Sequence, residues 1–271
     1  MAHPPSHGNP SPLPVRPAAV AGLFYPGDPA ELSRMVAELL DAAPPAVTDP
    51  RMLIAPHAGF VYSGPVAAVA YAQLSARRRS ARRVLLLGPS HRVPFRGLAL
   101  SSAASYETPL GKVAIDAEAC RELLDLPQVG VLDEAHAQEH SLEVHLPFLQ
   151  TVLEEFRLVP VVVGDAQADA VAEVIEVFRD RPDTLVVISS DLSHFLDYDT
   201  ANRVDRETTR AIESHRWDLR PEQACGCRAI NGLMKVADTH GLEVTTLDLR
   251  NSGDTAGDRS RVVGYGAYAL T

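Results

Sequence analysis

The chain has 271 residues, 46% of them hydrophobic, and a formal net charge of −10. That hydrophobic share lies in the range of about 45–50% usual for globular proteins, and the acidic balance argues against nucleic acid as a main partner, because phosphate binding needs a basic face. No apolar stretch approaches the ~20 residues of a membrane span and no signal-peptide core follows Met1. The sparse, odd set of Cys120, Cys225 and Cys227 fits a reducing cytoplasm without a disulfide framework.

Residues 1–17 read as a disordered, proline-rich tail, with Pro4, Pro5, Pro10, Pro12 and Pro14 among small polar residues. Residues 18–271 read as one α/β domain. Asp28 is a plausible N-cap for a helix from Pro29 to about Leu40. The pattern then gives a strand at 52–56, a helix over about 63–74, a strand at 84–88, strands near 98–100 and 112–115, and a helix over 117–124. Residues 142–156 read as helical, with Pro147 starting or kinking the helix. A strand at 158–163, a helix over 168–178, a strand at 185–190 and helices near 200–214 and 221–238 follow. Strands at 244–249 and 262–270 end the chain, joined by an acidic turn at 251–258. This alternation predicts a layered α/β fold. Arg77, Arg78, Arg79, Arg82 and Arg83 fall where a helix ends, and read as a solvated helix terminus.

Three continuous apolar runs each end in a small turn carrying a histidine: Ala55-Pro56-His57, Gly88-Pro89-Ser90-His91 and Ser190-Asp191-Leu192-Ser193-His194. Such runs suit strands buried on both faces, and ligands of open α/β sheets bind beyond the carboxyl ends of the strands. Imidazole is the commonest metal ligand, so the repeated pattern points to a metal centre. Each histidine taken alone could instead bond a backbone carbonyl. Asp191 could orient an imidazole, ligate a metal, act as a base or cap a helical turn. Glu139-His140-Ser141-Leu142-Glu143-Val144-His145 lacks the H-E-x-x-H order of zinc proteases. One of its two histidines is expected to line the site while the other packs or hydrogen-bonds. Cys225-Gly226-Cys227 is not a C-x-x-C motif. Its first thiol could join imidazoles at a metal or be inert packing. The nucleophile elbow, the P-loop and the dinucleotide-binding glycine pattern are absent from the sequence.

Pro56-His57-Ala58-Gly59, Gly88-Pro89-Ser90-His91, Glu139-His140-Ser141, Glu143-Val144-His145-Leu146-Pro147 and Ser190-Asp191-Leu192-Ser193-His194-Phe195 together resemble the Memo family, whose prokaryotic members are also called AmmeMemoRadiSam system protein B. That family is similar in fold and site position to class III extradiol dioxygenases of the protocatechuate 4,5-dioxygenase type, which implies an αβα layered mixed sheet. The resemblance implies His57, His91 and Cys225 as metal ligands, a cysteine standing where the dioxygenases have a carboxylate. It implies His194 as an acid/base group with Asp191 beside it, and His140, His145, Glu139, Ser90 and Tyr62 lining the cleft. Iron(II) is the leading cofactor, with copper or zinc as alternatives. The family's other name implies pathway partners of AMMECR1-like and radical-SAM type. Three functions follow from this reading: a metal-dependent redox or dioxygenase-like enzyme, a non-enzymatic module binding a peptide or protein in the same cleft, or a zinc hydrolase using a bound hydroxide.

Overall fold

The computed structural model describes residues 14–271. The elements, in chain order, begin with β1 (Val15–Arg16), α1 (Pro29–Asp41), β2 (Met52–Ala55), α2 (Phe60–Ala72), β3 (Arg83–Pro89), β4 (Leu98–Leu100), β5 (Ser105–Thr108) and β6 (Gly111–Ala114). The middle of the chain forms α3 (Ala117–Leu123), β7 (Val129–Val131), α4 (Asp133–Ala137), α5 (Leu146–Val152), β8 (Arg157–Val163), α6 (Ala168–Arg179) and β9 (Thr184–Ser189). The last stretch forms β10 (His194–Leu196), α7 (Tyr198–Glu213), α8 (Cys227–His240), β11 (Val244–Asn251), α9 (Ser252–Thr255) and β12 (Val262–Leu270). Nine strands make one mixed sheet in the order β10-β12-β2-β9-β3-β8-β4-β7, with β11 paired to β12, and β1, β5 and β6 form a small second sheet.

The centre of the large sheet is parallel. β2 pairs β9, β9 pairs β3 and β3 pairs β8, all in parallel register. Every residue of β2 and β9 is buried, as expected for strands covered on both faces. α1 packs against α2, which covers β2 and β12, and α6 packs against α8, both of them against β9. Both α1 and α6 turn apolar faces inward, Leu32 and Val36 from the first and Val171, Val174, Ile175 and Phe178 from the second. No described helix is long and apolar enough to cross a membrane.

Three local expectations are corrected. Residues 1–13 lie outside the described residues, but Val15 and Arg16, placed by sequence in the tail, form β1 beside Ser105 and Tyr106. The Arg16 side chain is buried because Glu143 receives it. The helix expected over 142–156 is only α5, with Pro147 in its first turn, preceded by a 3-10 turn at Glu143–His145. The helix expected from 221 begins at Cys227. The peptide N–H of Cys225 is taken by the Asp191 carbonyl (3.3 Å) and that of Gly226 by the Ser190 hydroxyl (2.9 Å), so neither enters a helix. The arginine cluster is paired: Arg77 with Asp49, Arg78 and Arg79 with Glu154, Arg82 with Glu155, and Arg83 with Asp116.

Candidate metal centre

Three neighbouring strands end at one cleft. Ala55 of β2 lies opposite Ser189 of β9, and Leu87 of β3 lies opposite Ile188. His57 follows β2 by two residues, His91 follows β3 by two, and Ser189 closes β9 between them. The imidazoles of His57 and His91 meet with ring centroids 5.1 Å apart, and His140 joins them at 5.4 Å from His57 and 4.5 Å from His91. One ring nitrogen from each of His57, His91 and His140 lies within 4.8 Å of the other two.

The rear nitrogens decide which atoms face the cleft. The Ser189 hydroxyl donates to the Ser141 carbonyl at 2.6 Å, so its oxygen accepts the Nδ1 proton of His57, also at 2.6 Å. Nε2 of His57 is therefore a bare lone pair, 3.3 Å from the Cys225 sulfur. Glu139 fixes His91 in the same way, with Oε1 2.8 Å from Nδ1 and Oε2 accepting the His91 peptide N–H at 2.6 Å. Burial alone would raise the Glu139 carboxyl. The His91 ring and the peptide N–H groups of His91 and Ser141 outweigh it and bring the pKa to about 2. A carboxylate behind an imidazole is the usual orienting partner of a metal-bound histidine.

His140 stacks on His91 and meets Phe24 on its other side, 4.7 Å between centroids. Its Nδ1 is buried without a hydrogen bond, 3.4 Å from the Glu139 oxygen that holds His91. His145 is fully enclosed. Its Nδ1 meets the Tyr71 hydroxyl at 2.7 Å and its Nε2 has no partner. Burial, together with the neighbouring histidines, pulls His57 well below the ordinary imidazole value, His140 to about 4 and His145 to about 3. All three are neutral at pH 7, the form that donates to a metal. Unpartnered buried nitrogens each cost about 1–3 kcal/mol, and a cation among these lone pairs would remove that penalty for those that reach it. The donor set fits a metal ion.

Cys225 stands outside the imidazole triplet and touches it through His57. Its sulfur also accepts the Asp191 peptide N–H at 3.3 Å. Burial and the Asp191 carboxyl push the thiol up. The loop reaches this place because residue 226 is glycine: a Cβ there would lie 2.4 Å from the Ser189 carbonyl oxygen and 2.7 Å from the Ser190 Cβ.

Comparison with known proteins identifies the family. Residues 16–269 match the family described as Memo-like protein. The chain belongs to the Memo family. It is 34% identical to a MEMO1 family protein of Aquifex aeolicus over 264 residues, covering 93% of this chain and 97% of that one. It is 36% identical to one of Methanopyrus kandleri, with 94% and 98% covered. Among solved structures, an uncharacterized protein from Escherichia coli K12 shares the fold, with a TM-score of 0.52, 12% identity, and 81% of this chain and 99% of that one covered.

In this Memo family member the remaining expected site residues fall at varied distances from the imidazoles. Asp191 is buried, and its Oδ1 accepts the peptide N–H groups of His57 (2.8 Å) and Ala58 (3.3 Å), so it ties down the turn that carries His57. Burial raises its carboxyl against the opposing pull of His194 and those two N–H groups. His194 opens β10 half-buried, and its charge bears on both His57 and Asp191. Phe195 beside it has a left-handed backbone, φ 61°, at a bulge in the pairing with β12. The Ser90 hydroxyl donates to the Val93 carbonyl, and Ser90 and Cys225 line a cavity of about 250 Å³ with Pro89, Val93, Phe95 and Arg228. Tyr62 is exposed at the start of α2, next to Gly59 and Phe24.

Sequence reasoning missed the parts that hold the site from behind. Ser189, Tyr71, Phe24 and the Ser141 carbonyl carry no sequence signal of these roles. The largest omission is Glu143, wholly buried, whose carboxylate accepts from Arg16, from the peptide N–H of Ala19 (2.8 Å) and Val20 (3.0 Å), and from the Tyr25 hydroxyl (2.5 Å). Arg16 in turn donates to the carbonyls of His136 (3.0 Å) and Glu139 (2.5 Å). An ion pair therefore clamps the segment that supplies Glu139 and His140 onto residues 16–25.

Proposed function

We propose that this Memo family protein is a metal-dependent redox enzyme, dioxygenase-like in its site, acting on a small molecule. His57, His91 and Cys225 hold the metal, iron(II) first and copper as the alternative, while zinc, which has no redox chemistry, would belong to a hydrolase. The observation that carries the reading is the pair of Nε2 lone pairs from His57 and His91, each locked into one tautomer by Ser189 or Glu139. Bound iron or copper supplies electron exchange with a small molecule at an open coordination position. Around it, Glu139 and Ser189 keep the imidazoles oriented, and Asp191 keeps the His57 turn in place. Cys225 contributes anionic charge once its proton is lost, in the position where class III dioxygenases have a carboxylate. His194, half-exposed and electrostatically linked to Asp191, holds or passes a proton at its ring nitrogens.

The test is elemental analysis of untagged protein, with His57→Ala and Cys225→Ser beside it. About one equivalent of iron or copper in the wild type, lost in His57→Ala, supports the reading. Metal content unchanged in both variants removes it. A second reading, a module binding a peptide or protein at this cleft, is favoured by exposed apolar side chains close to the site in sequence: Leu23, Val61, Tyr62 and Phe195. Retention of a captured partner by His57→Ala and Cys225→Ser would select it.

A further inference from the structure

The imidazole triplet and the thiol do not form one compact set. His57, His91 and His140 converge within 4.8 Å, while the Cys225 sulfur meets this group only at His57 Nε2, 3.3 Å away. His57 and His91 are the fixed members, each bonded behind by Ser189 or Glu139. His140 has no such anchor: its Nδ1 is buried and unpartnered, and its ring rests between His91 and Phe24. Besides its contact with His57, the Cys225 sulfur receives one long N–H···S bond, from Asp191 at 3.3 Å, and weaker approaches of Ser190 and the Asp191 carbonyl. His57 thus has two further donors of opposite chemical character beside it: the His140 imidazole, which also meets His91, and the Cys225 thiol. Soft thiolate favours copper(I), whereas an all-imidazole set suits nickel(II).

Resting on the metal-centre reading, we propose that the site contains two overlapping ligand sets sharing His57 and His91: His57–His91–Cys225 for iron(II) and copper(I), and His57–His91–His140 for nickel(II). His140 is then a metal ligand in its own right, and the bound ion decides whether the thiol or the third imidazole completes its shell.

The experiment titrates metal-free protein anaerobically with copper(I) against a chromophoric chelator, and separately with nickel(II), in wild type, Cys225→Ser and His140→Ala. Cys225→Ser should weaken copper(I) by about 100-fold or more, beyond the usual effect of losing an outer-shell partner, and leave nickel(II) affinity unchanged. His140→Ala should do the reverse. The nickel(II) form of the wild type should show no sulfur-to-metal charge-transfer band. Circular dichroism checks the fold, and His140→Gly should regain nickel(II) binding when free imidazole is added, which a merely structural defect would not do. Equal weakening of both metals by Cys225→Ser, or no effect of His140→Ala on nickel(II), overturns the inference while leaving the metal centre in place. Wild-type protein that takes up neither metal overturns the underlying reading, and the inference with it.

Discussion

Replacing Glu143 by Gln tests whether the buried clamp, and not the sheet alone, holds the loop that carries Glu139 and His140. The carboxylate is inaccessible to water and accepts at both oxygens: Arg16 and Ala19 at one, Val20 and Tyr25 at the other. An amide offers one accepting end only. Facing its NH2 toward Arg16 and Ala19 sets donor against donor. Facing it toward Val20 and Tyr25 leaves the Val20 N–H unpaired, at about 1–3 kcal/mol, since only the tyrosine hydroxyl can turn to accept. In either orientation the Arg16 guanidinium, 4% exposed, loses its counter-charge. Breaking a buried pair from one side costs about 3–5 kcal/mol, and that is the expected loss. Equilibrium urea unfolding of metal-free protein measures it, with Arg16→Met and the double variant completing a thermodynamic cycle. The double variant should fall short of additivity by about 2 kcal/mol, within the range for directly contacting groups. A loss below about 1 kcal/mol for Glu143→Gln, or strict additivity, would falsify the clamp.

Acid should destabilise the metal-free protein in two separate windows. Burial lowers His136 to about 4 and His145 to about 3, so the unfolded chain takes up their protons first. Their contribution is complete above pH 6.5 and fades as pH falls toward the folded values, each losing about 2 kcal/mol by pH 5. Urea midpoints equal at pH 7 and pH 5 would contradict this. Glu139, depressed to about 2, keeps its contribution down to about pH 4.5 and loses it below. Glu139→Gln should therefore flatten the profile only under pH 4.5, and should weaken metal binding about 10–100-fold by freeing the His91 ring, as read by chelator competition. Gly226→Ala forces a methyl against the Ser189 carbonyl and the Ser190 Cβ. It should cost about 1–3 kcal/mol in chemical unfolding and reduce alkylation-resistant burial of Cys225. An unaltered thiol reactivity and stability would show that the loop approaches less closely.

The central strands were legible because their burial on both faces is written as unbroken apolar runs. Met52–Ala55, Val84–Leu87, Leu158–Val163 and Leu185–Ile188 are strands within a residue or two of where the pattern places them. Of the short strands, β4 and β6 lie where the pattern places them, but β7 and β10 are not expected from the sequence. β7 reads Val-Gly-Val, and β10 contains a left-handed Phe195, so neither carries a period long enough to register. Helix α8 was started too early because its sequence does not record that the amides of Cys225 and Gly226 are spent on Asp191 and Ser190.

By itself the sequence determined the parallel core, the family and the placing of His57 and His91 at strand ends, because apolar periodicity and strand-end turns are properties of contiguous residues. Only the tertiary structure decided that His140 joins those two while His145 binds Tyr71, that Ser189 and Glu139 select the tautomers, and that Arg16 clamps Glu143. Most of these contacts join groups 48 to 132 positions apart. Hydrogen bonds and lone-pair directions act over about 3 Å in space, and no local pattern along a chain encodes which distant segments come within that distance.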